Sequence, residues 1–206
     1  MKKVLKEVEG LREEVKGLKS EIVELNRENK QLQEKLAMDY HEIIYPTFDA
    51  SDASAEQFDI SKNKRTITIV DAQYGCLLHS DTVLPREKNS KFRVKIDHGY
   101  PGNLVVGVAV KEILKNNSLS SPGTYCLVFP NQIHLNGSSQ KINKNDYFSF
   151  ARGSIIGVQY IPSRNEIRFD INGEQTYMTI IDVAYQSLDI FPIVSVTGNN
   201  IKLSFI

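Results

Sequence analysis

The sequence predicts two architectures in series: a long α-helix forming a parallel dimeric coiled coil, then an all-β, two-sheet antiparallel β-sandwich. Three observations carry this expectation. Residues 1–38 repeat apolar side chains at alternating spacings of three and four, with no proline and no aromatic residue. Every aromatic residue and all seven prolines appear from Tyr40 onward. From Phe58 the pattern changes to period-two alternation or short apolar runs bounded by Gly, Asn, Pro and Ser, with no long helical period. The expected divisions are a coiled coil over 1–38, a connector over 39–57 and the sandwich over 58–206.

In the first segment the a positions are Met1, Val8, Val15, Ile22, Asn29 and Leu36, and the d positions are Val4, Leu11, Leu18, Leu25 and Leu32. β-branched residues at a with leucine at d favour two parallel strands. Asn29 is the single polar residue in the seam, and its amide pairs with its twin only in a register-matched parallel dimer. The g positions Glu7 and Glu14 face the e positions Arg12 and Lys19 of a parallel partner, whereas an antiparallel pair would oppose the glutamates. The expected seam is therefore Val8, Leu11, Val15, Leu18, Ile22, Leu25, Asn29, Leu32 and Leu36, in a homodimer or with a related chain. Gly10 and Gly17 fall at exposed c positions, each costing about 1 kcal/mol of helix propensity, and so weaken the first half.

The connector contains Pro46 and the small polar run Asp49–Ser54. Strands are then expected at 66–70, 75–78, 92–96, 104–110, 124–129, 132–135, 155–161, 166–171, 176–180, 191–196 and 201–206. Phe92–Ile96 and Ile201–Phe205 alternate cleanly, so each has one wet face. Asn172-Gly173 between two strands suits a type I′ hairpin turn.

Composition excludes several functions. Lys plus Arg and Asp plus Glu both number 25, so no global charge directs the chain to nucleic acid or an anionic membrane. No apolar run reaches membrane-spanning length, and Met1-Lys2-Lys3-Val4 does not open a secretion signal. Two cysteines, Cys76 and Cys126, are too few for a disulfide framework or a usual zinc site. A reduced, cytoplasmic setting is expected, in which the sequons at Asn116 and Asn136 carry no meaning. His79-Ser80-Asp81 contains triad residue types, but neighbours on one strand point apart. The four histidines show no metal spacing, and no phosphate-cradling loop occurs. The expectation is a chain with no catalytic residues, no metal and no cofactor.

The run Gly153–Glu174, GSIIGVQYIPSRNEIRFDINGE, resembles the centre of the SPRY family, where two strands and their turn carry a similar glycine, "IGV" and "NG" pattern. Phe92–Ile96 followed by Val105-Val106-Gly107-Val108-Ala109 resembles the family's paired strands, and Phe191–Val196 with Ile201–Phe205 its closing strands. The resemblance covers about residues 58–206 and implies a concanavalin-like sandwich of SPRY type that binds proteins or peptides through loops at one edge. Ser154 stands where the family usually has an acidic residue, and the chain has no tryptophan. Carried over by position, the partner-binding loops are Lys62-Asn63-Lys64, Asn116-Asn117-Ser118 within Lys111–Pro122, and Thr197-Gly198-Asn199. Thr197 falls near the place where peptide-binding members put a tryptophan. The expected function is a non-enzymatic dimeric adaptor or scaffold, with a structural subunit of a coiled-coil or cytoskeletal assembly as the alternative. A sugar-binding lectin would want tryptophan and a clustered Asp-x-Asn loop, which the chain lacks.

Overall fold

A computed structural model describes residues 2–39, 41–49, 58–111, 119–130, 132–141 and 151–206. The chain divides into two units, Met1–Tyr40 and His41–Ile206.

The first unit is one helix, α1 (Lys2–Asp39), of 38 residues, about 57 Å long at 1.5 Å per residue. Intrahelical ion pairs Glu13–Lys16 (3.0 Å) and Glu24–Arg27 (2.7 Å) lie on its surface. Leu11, Val15, Leu18, Ile22, Leu25 and Leu32 are each 49–60% exposed, so the heptad stripe is uncovered in the single chain. Asn29 is exposed within it. The side chains of Val8 and Leu36 lie outside the described residues. Among the described residues no helix is long and apolar enough to cross a membrane.

The second unit is built of β1 (Glu42–Ile43), β2 (Phe58–Ile60), β3 (Thr66–His79), β4 (Ser90–His98), β5 (Asn103–Val110), β6 (Thr124–Val128), β7 (Gln132–Leu135), β8 (Ser138–Lys141), β9 (Ile155–Ile161), β10 (Glu166–Ile171), β11 (Glu174–Ile180) and β12 (Ile190–Phe205). Hydrogen bonding links them in the order β11-β10-β9-β4-β12-β5-β6-β7-β8, with β3 along β12, β2 on β3, and β1 on β4. Every pairing is antiparallel except β1 with β4.

The hydrogen bonding thus runs through one curled sheet, where two separate sheets were expected. The reason lies in β3 and β12. The segments 66–70 and 75–78, expected as two strands, are one 14-residue strand, and 191–196 and 201–206 are one 16-residue strand. β12 pairs with β5 over Ile190–Thr197 and with β4 over Lys202–Phe205, so it passes from one half of the sheet to the other. The turn is made within the strand. The β3–β12 register shifts between Val196 and Gly198, where Gly198 (φ 134°) and Asn200 (φ 53°) hold positive φ, a bulge that bends the strand without ending it.

The curl closes on a strap formed by residues 41–49, part of the stretch read from sequence as a connector; residues 50–57 of it lie outside the described residues. The Phe48 N–H donates to the Lys64 carbonyl (2.7 Å), and the Asp49 N–H to the His79 carbonyl (3.0 Å), so the strap ties both ends of β3. The Phe48 ring is fully buried, 4.5 Å from Phe205, which in turn meets Phe92 edge-on at 6.1 Å. They join Ile67, Val94, Val106, Leu127, Val158 and Phe169 in one core. A smaller apolar cluster, Val105, Ala109, Cys126, Phe191 and Ile193, lies on the other face of β5, which is buried from Leu104 to Val110. Cys126 is a core residue there, and burial pushes its thiol pKa far up. The side chain of Cys76 lies outside the described residues.

Two hairpins turn through the same dipeptide, Asn-Gly. Asn172-Gly173 (φ 52° and 90°) joins β10 to β11, and Asn136-Gly137 (φ 51° and 81°) joins β7 to β8. The second pair was read only as a sequon, and β8 was not expected.

Tyr125 and Tyr160 are buried, and burial raises both hydroxyl pKa values above the usual 10. For Tyr125 the N–H of Asp182, donating to the hydroxyl at 2.8 Å, works in the opposite direction; for Tyr160 the nearby Arg86 does so. Each folded tyrosine holds its proton after the unfolded chain has lost it. Their stabilisation is therefore complete below pH 10 and is lost as pH rises through the folded values. Urea unfolding midpoints are expected to stay level up to about pH 9 from this source and to fall above about pH 10, more shallowly in Tyr160→Phe. An equal alkaline slope in that variant would contradict the assignment.

Candidate functional site

The three loop segments can now be placed. Lys62-Asn63-Lys64 is an exposed turn between β2 and β3. It is held by the Lys64 N–H donating to the Ser61 carbonyl (2.8 Å) and by Asn63 Oδ1, which accepts from the Arg65 N–H (3.1 Å) and the Ser61 hydroxyl (2.7 Å). Thr197-Gly198-Asn199 forms the bend of β12. There the Thr197 hydroxyl accepts from the Asn103 N–H and its carbonyl from the Gly102 N–H, both at 2.8 Å. These contacts commit Thr197 to holding two loops together.

These two segments do not share a pocket. Thr66 pairs with Ser204 and Asp71 with Asn199, which sets them about 17 Å apart along the ladder at ~3.3 Å per residue. Asn116-Asn117-Ser118 lies outside the described residues. Its loop leaves β5 after Val110, which pairs with Ile190, whereas Thr197 pairs with Asn103 at the strand's other end.

More is assembled on the polar face of the sheet, opposite the core side of β4. Period two puts Phe92, Val94 and Ile96 inward and Lys91, Lys95 and Asp97 outward. Lys91 Nζ lies 2.6 Å from Asp170 Oδ2, with both side chains largely buried. The Asp170 carboxylate also accepts from the Gly173 N–H (3.2 Å) at the hairpin. Gly157 sits directly across from Asp170, and a Cβ there would overlap the carboxylate. That gives one glycine of the "IGV" run a physical reason: it makes room for a buried acid. Beside it, Arg168 pairs with Glu166, which is 5% exposed.

At the other end of β4 the same face opens into a cleft of about 570 Å³ between β3, β4, β12 and the turn ahead of β9. The turn is docked by two backbone bonds, the Gly153 N–H to the Ile96 carbonyl (2.7 Å) and the Ile96 N–H to the Ser154 carbonyl (3.0 Å). The Ser154 hydroxyl accepts from the Ala151 N–H at 2.9 Å, so serine supplies the turn's acceptor where a carboxylate was expected by resemblance. This geometry holds Arg152 at the rim, with Lys95, His98 and Lys202 lining the same cleft. The floor carries the Thr66 and Ser204 hydroxyls, 2.9 Å apart. Asp97 lies 3.3 Å from Lys95 Nζ and accepts from the Ser204 hydroxyl. Lys95, Arg152 and Lys202 were not among the binding residues expected from the sequence. The signal that could have found them is the wet face of Phe92–Ile96 and Ile201–Phe205, whose outward residues include Lys95, Lys202 and Ser204.

The triad residue types do not converge. His79 Nε2 lies 3.3 Å from Asp49 Oδ2, Asp81 accepts from the Thr47 hydroxyl, and the buried Ser80 hydroxyl accepts from the Thr82 N–H at 2.9 Å. Together they tie the strap to the end of β3. Among the described residues no group of three or more His, Cys, Asp or Glu side chains is placed to hold a metal ion.

No family model matches the sequence, and no curated protein matches it. Solved structures do. The SPRY domain of human HERC1 superposes with a TM-score of 0.59 at 17% identity, covering 77% of this chain and 96% of that one. The PSpry domain of TRIM65 gives 0.60 at 12% identity, covering 85% and 98%. Stonustoxin gives 0.57 at 12% identity over 80% of this chain, which spans 27% of the toxin chain. At these identities the likeness is one of fold.

Proposed function

From a SPRY-like fold carried behind a 38-residue helix, we propose that this chain is a non-enzymatic dimeric adaptor. In this reading the helix pairs in parallel with a second copy, and two β-sandwich units of SPRY type present loop surfaces to a protein or peptide partner. The observation that carries the reading is the exposed heptad stripe, Leu11 to Leu32. An apolar seam with a single central asparagine gains from burial against a matching seam. Two linked copies would then bind a bivalent partner with effective-concentration avidity, without any new contact. The loops Lys62–Lys64, Asn116–Ser118 and Thr197–Asn199 are the proposed contact segments, and the setting is cytoplasmic and reducing.

Light scattering on the full chain tests the seam. The wild type is expected to be a dimer at low micromolar concentration, and Asn29→Val a mixture with higher oligomers, because the polar seam residue no longer selects the two-stranded state. A wild-type monomer with an intact fold would overturn the dimer.

A further inference from the structure

We propose that the cleft between β4, β12 and the 151–154 turn is a recognition groove for an acidic peptide segment of the partner, an inference that rests on the protein-binding reading above. The chain carries equal numbers of basic and acidic residues, so a local excess of positive charge here reflects placement rather than composition. Three elements separated in sequence deliver it: Lys95 from β4, Arg152 from the turn and Lys202 from β12. Among the described residues the one carboxylate lining the cleft, Asp97, is already engaged by Lys95 and the Ser204 hydroxyl. Among the described residues neither Arg152 nor Lys202 has a carboxylate partner, and both are exposed. Two cations on opposite sides of a polar floor are thus left facing solvent. Arg152 offers a planar fork that matches a carboxylate or phosphate, and Lys202 a compact point charge.

Shape agrees with charge. Among the described residues no atom lies within 4 Å of where a Cβ at Gly153 would stand, so they leave the groove open on that side. Its volume falls within the range of ligand-binding clefts. No Phe, Tyr or Trp lines it among the described residues, and single-stranded nucleic acid needs such rings as stacking platforms. A peptide carrying Asp, Glu or phosphorylated side chains needs only the charges and the hydroxyl floor.

Fluorescence anisotropy with monovalent peptides tests this on the full chain and reads the cleft whether or not the helix pairs. The probes are a Glu-rich peptide, a phosphoserine peptide, and neutral and Lys-rich peptides of equal length. Binding of either acidic peptide is expected, weakening as salt rises from ~50 to ~300 mM. Arg152→Glu/Lys202→Glu is expected to weaken it at least ten-fold, with Arg152→Gln/Lys202→Gln intermediate. Lys141→Glu/Arg164→Glu, an equal change of charge outside the cleft and the loops, is expected to leave it within two-fold. The Glu-rich and phosphoserine arms separate carboxylate from phosphate recognition, and either result supports the groove. Preferential binding of the neutral peptide would overturn the acidic class yet leave a protein-binding role standing. Loss in Lys141→Glu/Arg164→Glu instead would move the site away from β4 and β12 and overturn the cleft. No binding by any probe, or tighter binding of a single-stranded oligonucleotide added as competitor, would overturn the proposal.

Discussion

Asp170→Ala is expected to destabilise the β unit by about 3–5 kcal/mol, the cost of leaving a buried cation without its partner. For a domain of this size that is a fall in Tm of roughly 6–20 °C. The magnitude follows from burial. The Lys91 and Asp170 side chains are only 13% and 3% exposed at a separation of 2.6 Å, so water cannot take over the role of the missing carboxylate. The double variant Lys91→Met/Asp170→Leu is expected to recover most of the loss, because it removes both charges together. Thermal melts of Lys91→Met, Asp170→Leu and the double form a cycle whose coupling energy should exceed ~1 kcal/mol. Strictly additive losses would mean that the pair is solvated and that Asp170 acts only as a hairpin acceptor for Gly173.

The second large effect is at Phe48. Phe48→Ala is expected to cost about 3–5 kcal/mol, as for other fully buried phenylalanines. The ring is 0% exposed and stacked at 4.5 Å on Phe205, in the last strand of the sheet. Its loss should also loosen the strap it anchors, which amide exchange would detect at Glu42 and Ile44, whose N–H groups donate to the Asn89 and Lys91 carbonyls. Tyr45→Ala supplies the contrast. Its ring is 48% exposed and lies under the Arg65 guanidinium at 4.8 Å, so the expected cost is below about 1 kcal/mol. Equal losses at the two positions would show that the strap is held by its backbone bonds rather than by the ring.

What the sequence made legible was whatever local chemistry decides. The heptad is written in consecutive side chains, and the helix follows it. Most strands announced themselves by alternation, and Asn172-Gly173 by its turn chemistry. Asn136-Gly137 carries the same signal, but the strand after it, Ser138–Lys141, is exposed at every residue and so has no apolar face to mark it. The joins within β3 and β12 were hidden for a different reason. Gly and Asn punctuate Val196–Ile201 as they would a loop, yet the backbone bends through them while still paired. Phe48 looked like part of a connector because burial of an isolated aromatic is decided by what folds over it. The cleft was hidden for the same reason: Lys95, Arg152 and Lys202 share no local motif, and only the sheet order brings them to one place.

The position of β12 carries a consequence for how the molecule comes into being. Synthesis proceeds from the N-terminal end, so α1 can coil from its own residues while the ribosome is still far from residue 190. The β unit has no such freedom. The strand that seats β3, β4 and β5 is the last one made, and until it emerges those three present bare hydrogen-bonding edges and an open apolar interior. A nascent chain in that condition is exposed to misassembly with its neighbours. The closing of the β unit therefore waits on residues 190–205, however early the strands before them are made.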